Sequence, residues 1–160
     1  MIRNVLNIQE SALFDTRWQF VIDADDLTTT TASTAQAINL IPLAIGDIVR
    51  YVVTYLKTPM KRTGDTAFNT LGLTVGDTAT AANEFITTQE LNANGSFVTV
   101  SVSTNTVIYT AADNLKATFT PTSGKPVSTI DVGELYIYAV ILSPARLSLA
   151  RSALPITTKS

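Results

Sequence analysis

The chain has 160 residues, 11 basic and 13 acidic side chains and a net charge of -2, so it fits one domain and has no cationic face broad enough to follow a nucleic-acid backbone. Cysteine and histidine are both absent, which removes disulfides, thiolate nucleophiles, imidazole ligands for zinc and the side chain best suited to proton transfer near neutrality. Apolar residues make up 46% and charged ones only 15%, so polarity must come from uncharged side chains. Threonine, about one residue in six, supplies it and, being β-branched, favours strands.

Met1 to Glu10 has one Arg and no apolar run, so no signal peptide is expected and the cytoplasm is the simplest place of synthesis. Arg17 to Asp23 (RWQFVID) alternates Trp18, Phe20 and Ile22 against Arg17, Gln19 and Val21, the period of a half-buried strand. After the acidic turn Asp23, Asp25, Asp26 and the polar run Thr28–Thr31, Gln36 to Ile45 alternates again, and its Pro42 predicts an edge strand or a bulge. Past the Gly46-Asp47 turn, Ile48 to Lys57 is dense in Val, Ile and Tyr, the pattern of a strand buried on much of both faces. Thr58 to Thr66, with Pro59 and Gly64-Asp65, reads as an exposed loop.

Phe68 to Val75 predicts a short strand. In Thr80 to Leu91, Ala82, Phe85, Ile86 and Leu91 have the spacing of one short helix. Ser96 to Thr104 alternates cleanly, Thr106 to Tyr109 and Leu115 to Thr120 give shorter strands, and Glu134 to Leu142 (ELYIYAVIL) reads as a central one. About eight strands without βαβ alternation predict an antiparallel β-sandwich or barrel. The uncharged stretches 27–46 and 91–112 are too polar to span a bilayer, so no membrane partner is expected. The division expected is an N-terminal arm over 1–16, one sandwich domain over 17–143 and a C-terminal arm over 144–160. Val5, Leu6 and Phe14 in the first arm, and Arg146, Leu147, Leu149, Arg151 and Leu154 in the second, are candidate subunit contacts, since bulky apolar side chains and Arg make effective anchors.

Sites for chemistry are scarce. Asp23, Asp25 and Asp26 could gather calcium, but the acids stop at Asp26 and no closing Glu follows, which favours a solvated turn. Asp131 and Glu134 are a close carboxylate pair flanking a turn, a weak basis for glycoside hydrolysis. Lys57, Lys61 and Arg62 could touch phosphate but read more simply as a solvated loop tip. Gly46, Gly72 and Gly76 are isolated, and neither GxGxxG nor GxxxxGK[ST] occurs. Trp18, Tyr51, Tyr55, Tyr136 and Tyr138 would form a sugar or base platform only if exposed together; core or interface packing is the simpler expectation. No catalytic constellation or cofactor site is expected, which leaves binding or assembly.

The segments LTVGDTATAANEFITTQEL (Leu73–Leu91), VIYTAADNLKATFT (Val107–Thr120) and VGELYIYAVIL (Val132–Leu142) together resemble the small head-decoration, or cement, proteins of tailed bacteriophages over Gly72 to Leu142. The resemblance implies a jelly-roll-like sandwich, a homotrimer, and a place on the virion's capsid exterior, bound to the major capsid protein and reinforcing the shell. It carries over no active-site residue. The alternative of another class is a carbohydrate-binding or receptor-binding sandwich of a phage tail or adhesin, which would need an exposed aromatic cluster or bound calcium.

Overall fold

In a computed structural model of the chain the described residues are 3–4, 15–78, 83–92, 100–103 and 105–144. They form ten strands: β1 (Arg3–Asn4), β2 (Asp15–Asp23), β3 (Gln36–Leu43), β4 (Ile48–Lys61), β5 (Leu71–Gly76), β6 (Ile86–Glu90), β7 (Val100–Ser103), β8 (Val107–Ile108), β9 (Asp113–Pro121) and β10 (Val132–Leu142). Single 3-10 turns at Ala24–Asp26 and Val127–Thr129 are the helical elements among the described residues.

One sheet has the order β1-β2-β10-β4-β7, with β8 also paired to β4, and the other has the order β3-β9-β5-β6. All pairings are antiparallel. The order follows from folding the chain as one long hairpin, in which β2 pairs β10, β3 pairs β9, β4 pairs β7 and β5 pairs β6 at the hairpin's tip. Rolling that hairpin so that successive strands alternate between two sheets is the jelly roll, as expected. The eight longer strands build it, and the two-residue β1 and β8 extend one sheet.

The inner faces carry the core. Phe20 and Ile22 of β2, Leu135, Ile137 and Ala139 of β10, and Val52 and Leu56 of β4 face Leu71, Leu73 and Val75 of β5 and Leu115, Ala117 and Phe119 of β9, all buried. Each fully buried aliphatic side chain contributes about 1.5–3 kcal/mol. One polar pair crosses this core, with the buried Thr54 hydroxyl of β4 donating to Gln89 Oε1 of β6.

The bulges explain where the local patterns mislead. Of the residues given helical spacing, Ile86 opens strand β6 and Phe85 and Leu91 flank it, while Ala82 lies outside the described residues. Val75 faces Ile86 and Leu73 faces Gln89, so Thr74 alone opposes two residues of β6, and exposed Thr87 and Thr88 together take one inward-to-inward step. The buried positions therefore fall three apart, as in a helix. A bulge at Leu40 in β3 turns both Leu40 and Ile41 inward and leaves Pro42 exposed on an edge strand.

The expected loop at Thr58–Thr66 begins later than expected, because β4 continues to Lys61. Pro59 is tolerated where Pro59 and Met60 of β4 together oppose Gly133 of β10, a bulge in which the missing N–H breaks no regular pairing. Gly133 in that bulge has φ +148°, and a Cβ there would lie 2.6 Å from Met60 Cα, so the two backbones meet because this residue has no side chain.

The connections cluster at two ends. At one lie residues 24–35, 62–70 and 122–131, a polar network in which Gln36 Oε1 accepts from the Thr28 and Thr29 N–H groups at 2.7 and 2.9 Å and Thr122 Oγ1 accepts from Thr70 N–H at 2.8 Å. At the other lie 44–47 and the residues around Tyr109, joined by Gly46 N–H to Tyr109 O at 2.7 Å. Asp15 pairs with Leu142 at this second end, so the chain enters and leaves the sandwich at the same place. The residues given above to the N-terminal arm include β1 and the start of β2, and β1 folds back antiparallel on β2. No helix among the described residues is long and apolar enough to cross a membrane.

Candidate functional site

The outward face of β2, β10 and β4 is the most unusual surface of the molecule. The period of a strand sends Leu135, Ile137, Ala139 and Ile141 into the core and Tyr136, Tyr138, Val140 and Leu142 the other way. Register sets Tyr136 opposite Tyr55 and Val21, Tyr138 opposite Val53 and Gln19, and Val140 opposite Tyr51 and Arg17. A register shift at Arg50 keeps Tyr51, Val53 and Tyr55 outward while Val49, Val52 and Leu56 stay buried. At the margin, Ile108 of β8 lies opposite Ile48.

β4 was expected to be buried on much of both faces, and it is buried on one. The outward side of the sheet is largely apolar and partly open, with Tyr51 40%, Tyr138 37% and Ile108 63% exposed while Val140 between them is buried. The tyrosines form a cluster. Tyr136 and Tyr138 stack with centroids 6.3 Å apart, and Tyr55 meets Tyr136 at 5.9 Å, within the range in which ring pairs attract. Trp18 has the opposite orientation and stacks on Phe20 against the core.

One ionic group closes the cluster. Lys57 Nζ lies 2.7 Å from Glu134 and 5.7 Å from the Tyr136 ring centre, and the Tyr136 hydroxyl donates to Glu134 at 2.7 Å. The hydrogen bonds from Lys57 and Tyr136 hold the Glu134 carboxyl below the usual carboxylate range. Reciprocally, Glu134 raises the Lys57 ammonium and the Tyr136 hydroxyl.

The far end of the same sheet is fixed by buried carboxylates. Ser143 Oγ donates to Asp47 Oδ1 at 2.5 Å, Ala44 N–H donates to Asp47 Oδ2 at 2.9 Å, and Tyr109 OH donates to Asp77 Oδ2 at 2.8 Å. Burial first, and Asp77 second, push the Tyr109 hydroxyl far above its usual value. These bonds pin the turn at 44–47 and the exit of β10, where Ile45 stands 68% exposed.

The carboxylates named from the sequence have local partners. Asp23 caps the 3-10 turn, its Oδ1 accepting from Asp25 N–H at 3.1 Å, while Asp26 Oδ2 accepts from Asp23 N–H at 3.1 Å. This is a turn held by its own acids, and no group of three metal-ligating side chains gathers among the described residues. Asp131 holds Thr63 N–H at 2.8 Å while Glu134 holds Lys57, so the two acids serve different neighbours. Of the three loop cations, Lys57 is paired with Glu134 and Arg62 with Asp65. Lys61 and Arg62 line a cavity of about 300 Å³ shared with Asp65, Phe68 and Asn92. Lys125, 2.8 Å from Asp65, also holds that carboxyl low.

Val5, Leu6, Phe14, Arg146, Leu147, Leu149, Arg151 and Leu154 lie outside the described residues. Sequence analysis named the four tyrosines but not Ile45 or Ile108. The signal for such a surface is a strand apolar on both faces in a sheet that has only one covered face.

No family model matches the chain, and no curated protein sequence does. Solved structures that share its fold include chains of two phage capsids. A chain of the acid-stable capsid of Helicobacter pylori bacteriophage KHP30 superposes with a TM-score of 0.51 and 12% identity, covering 90% of this chain and 94% of that one. A chain of the cyanophage Pam1 capsid asymmetric unit gives 0.54 and 17%, covering 87% and 96%. The likeness drawn above from Gly72 to Leu142 thus extends, as a likeness of fold to chains of phage capsids, over nearly the whole molecule.

Proposed function

We propose that the chain is a structural virion protein, a head-decoration or cement protein that binds the outside of a phage capsid lattice and stabilises the shell. The observation that carries this is the two-way coverage: the similar chains of both phage capsids are matched almost end to end, so they are single jelly rolls of nearly this size. Supporting it are the open apolar sheet face and the absence of cysteine and histidine, which suit assembly better than catalysis. In this reading the chain is a homotrimer made in the host cytoplasm. The major capsid protein and the neighbouring subunits are met by the arms, through Val5, Leu6, Phe14, Arg146, Leu147, Leu149, Arg151 and Leu154.

Heads assembled without this chain provide the test. Added full-length chain should co-sediment with them to a saturating copy number and raise the temperature at which the shells break. Chain that stays in the supernatant at all concentrations would remove the proposal.

A second reading, a carbohydrate-binding or receptor-binding sandwich of a tail or adhesin, is favoured by one observation, the partly exposed row of Tyr51, Tyr55, Tyr136 and Tyr138. Calorimetric titration with glycans separates the two: binding heat lost in Tyr138→Ala, together with failure to bind heads, would favour it.

A further inference from the structure

The open tyrosine face needs a cover, and the chain carries a segment suited to it. Residues 145–160 contain three cations and no anion, whereas residues 1–144 contain eight cations and thirteen anions. The segment is therefore basic, and because the face itself bears exposed Arg17 and Arg50 beside the Lys57–Glu134 pair, the match between them is apolar rather than ionic. Its apolar residues Leu147, Leu149, Leu154 and Ile156 match a surface of tyrosine, valine and isoleucine. Sixteen residues reach at most roughly 55 Å when extended, while the eleven residues of β10 span about 36 Å. The segment is long enough to run the full length of the face.

Its root is fixed. Ser143 is buried and bonded to Asp47, so the chain leaves from a rigid point at the end of the face where Ile108 and Tyr51 lie. Ile108, Tyr51 and Tyr138 stand open among the described residues, and the homotrimer proposed above supplies neighbouring copies that carry the segment. We propose that the outward face of β2, β10 and β4 is the seat of segment 145–160 from a neighbouring copy of this chain. Such a head-to-tail contact closes into a ring when the rotation permits. The inference rests on the self-association part of the function proposed above and is independent of shell binding.

Because the chain has no cysteine, cross-linking gives a clean test. Full-length Tyr51→Cys and Leu149→Cys are co-expressed, one tagged, and treated with a short bis-maleimide. Thr118→Cys, on the outward side of the other sheet, replaces Tyr51→Cys as the control, and circular dichroism checks each fold. A mixed dimer of the first pair is expected, with none from the control. Adding Leu147→Ser and Leu154→Ser should lower its yield at least about tenfold. In the double variant Tyr51→Cys/Leu149→Cys, linkage confined within single chains would assign the face to the chain's own tail and overturn the proposal. Absence of any linkage between chains would also overturn it. Chain that binds heads without the mixed dimer would sink this inference alone, whereas a mixed dimer in a chain that ignores heads would sink the decoration role alone.

Discussion

The two outward faces of the sandwich are built on the same core and differ in almost every other respect. The face of β3, β9, β5 and β6 presents Asn39, Pro42, Thr74, Lys116, Thr118, Thr120, Thr87 and Glu90, side chains content in water. The face of β2, β10 and β4 presents mainly Tyr, Val and Ile, with the Lys57–Glu134 pair at one end and Arg17, Gln19 and Arg50 among them. A sandwich needs only one apolar face per sheet, so a sheet apolar on both sides has a second task. Threonine on the other face lets the molecule be crowded on a surface without strong charge repulsion. In the function proposed above, assembly falls to the sheet of β2, β10 and β4 and solvation to the other.

That contrast can be broken by substitutions on neighbouring positions of one strand. Ile137→Ala, fully buried, should cost about 2–5 kcal/mol in chemical denaturation while leaving the assembly state of the folded fraction unchanged. A loss under half that range would mean the inner face of β10 is not central to the core.

Tyr109→Phe removes a hydroxyl that donates to the buried Asp77 and should cost about 1–3 kcal/mol. Its pH dependence has a definite sign. The Tyr109 hydroxyl is raised in the fold, so its contribution is complete below the unfolded value near 10 and drains as pH rises above it. Denaturation curves between pH 9 and 11 should therefore fall less steeply for Tyr109→Phe than for the wild type, and equal slopes would refute the buried bond.

Tyr138→Ala, one residue from Ile137 but facing out, should cost under about 1 kcal/mol of stability and yet shift the oligomer toward single chains. Thr118→Ser on the opposite face should change stability by less than about 0.5 kcal/mol and leave assembly alone. If Thr118→Ser disturbed assembly as much as Tyr138→Ala, the two faces would not differ in role. The smallest effect belongs to Glu134→Gln. Because Lys57 and Tyr136 hold the Glu134 carboxyl low, its stabilisation is present above the unfolded value and lost as pH falls through the folded one. The variant should show a slightly flatter acid limb below about pH 4.5, muted because the pair is solvent-exposed.

Much of the fold was legible because strands with unbroken alternation declare both their length and their faces. Trp18, Phe20 and Ile22 in β2, and Leu135, Ile137 and Ala139 in β10, point where their spacing says. Where a bulge interrupts the period the local signal fails, as at Thr87–Thr88, where two outward residues imitate a helical step. Pro59 misled in the same way, since only the register against Gly133 shows that β4 continues through it. The candidate surface was legible by composition but not by state: Tyr51, Tyr55, Tyr136 and Tyr138 could be named, yet whether they are covered depends on which strands pair and what lies above them. Ile45 and Ile108 escaped notice because a single isoleucine in a turn or a two-residue strand carries no period at all.

The most direct test is the solution mass of the full-length chain by light scattering at micromolar concentration, measured for the wild type and for Tyr51→Ser/Tyr138→Ser. A wild-type mass three times the 17.1 kDa of the chain, falling toward a single chain in the variant with unchanged circular dichroism, is the result expected of an assembly protein joined through its apolar face. A wild type that stays at 17.1 kDa, or a variant that stays trimeric, would contradict it.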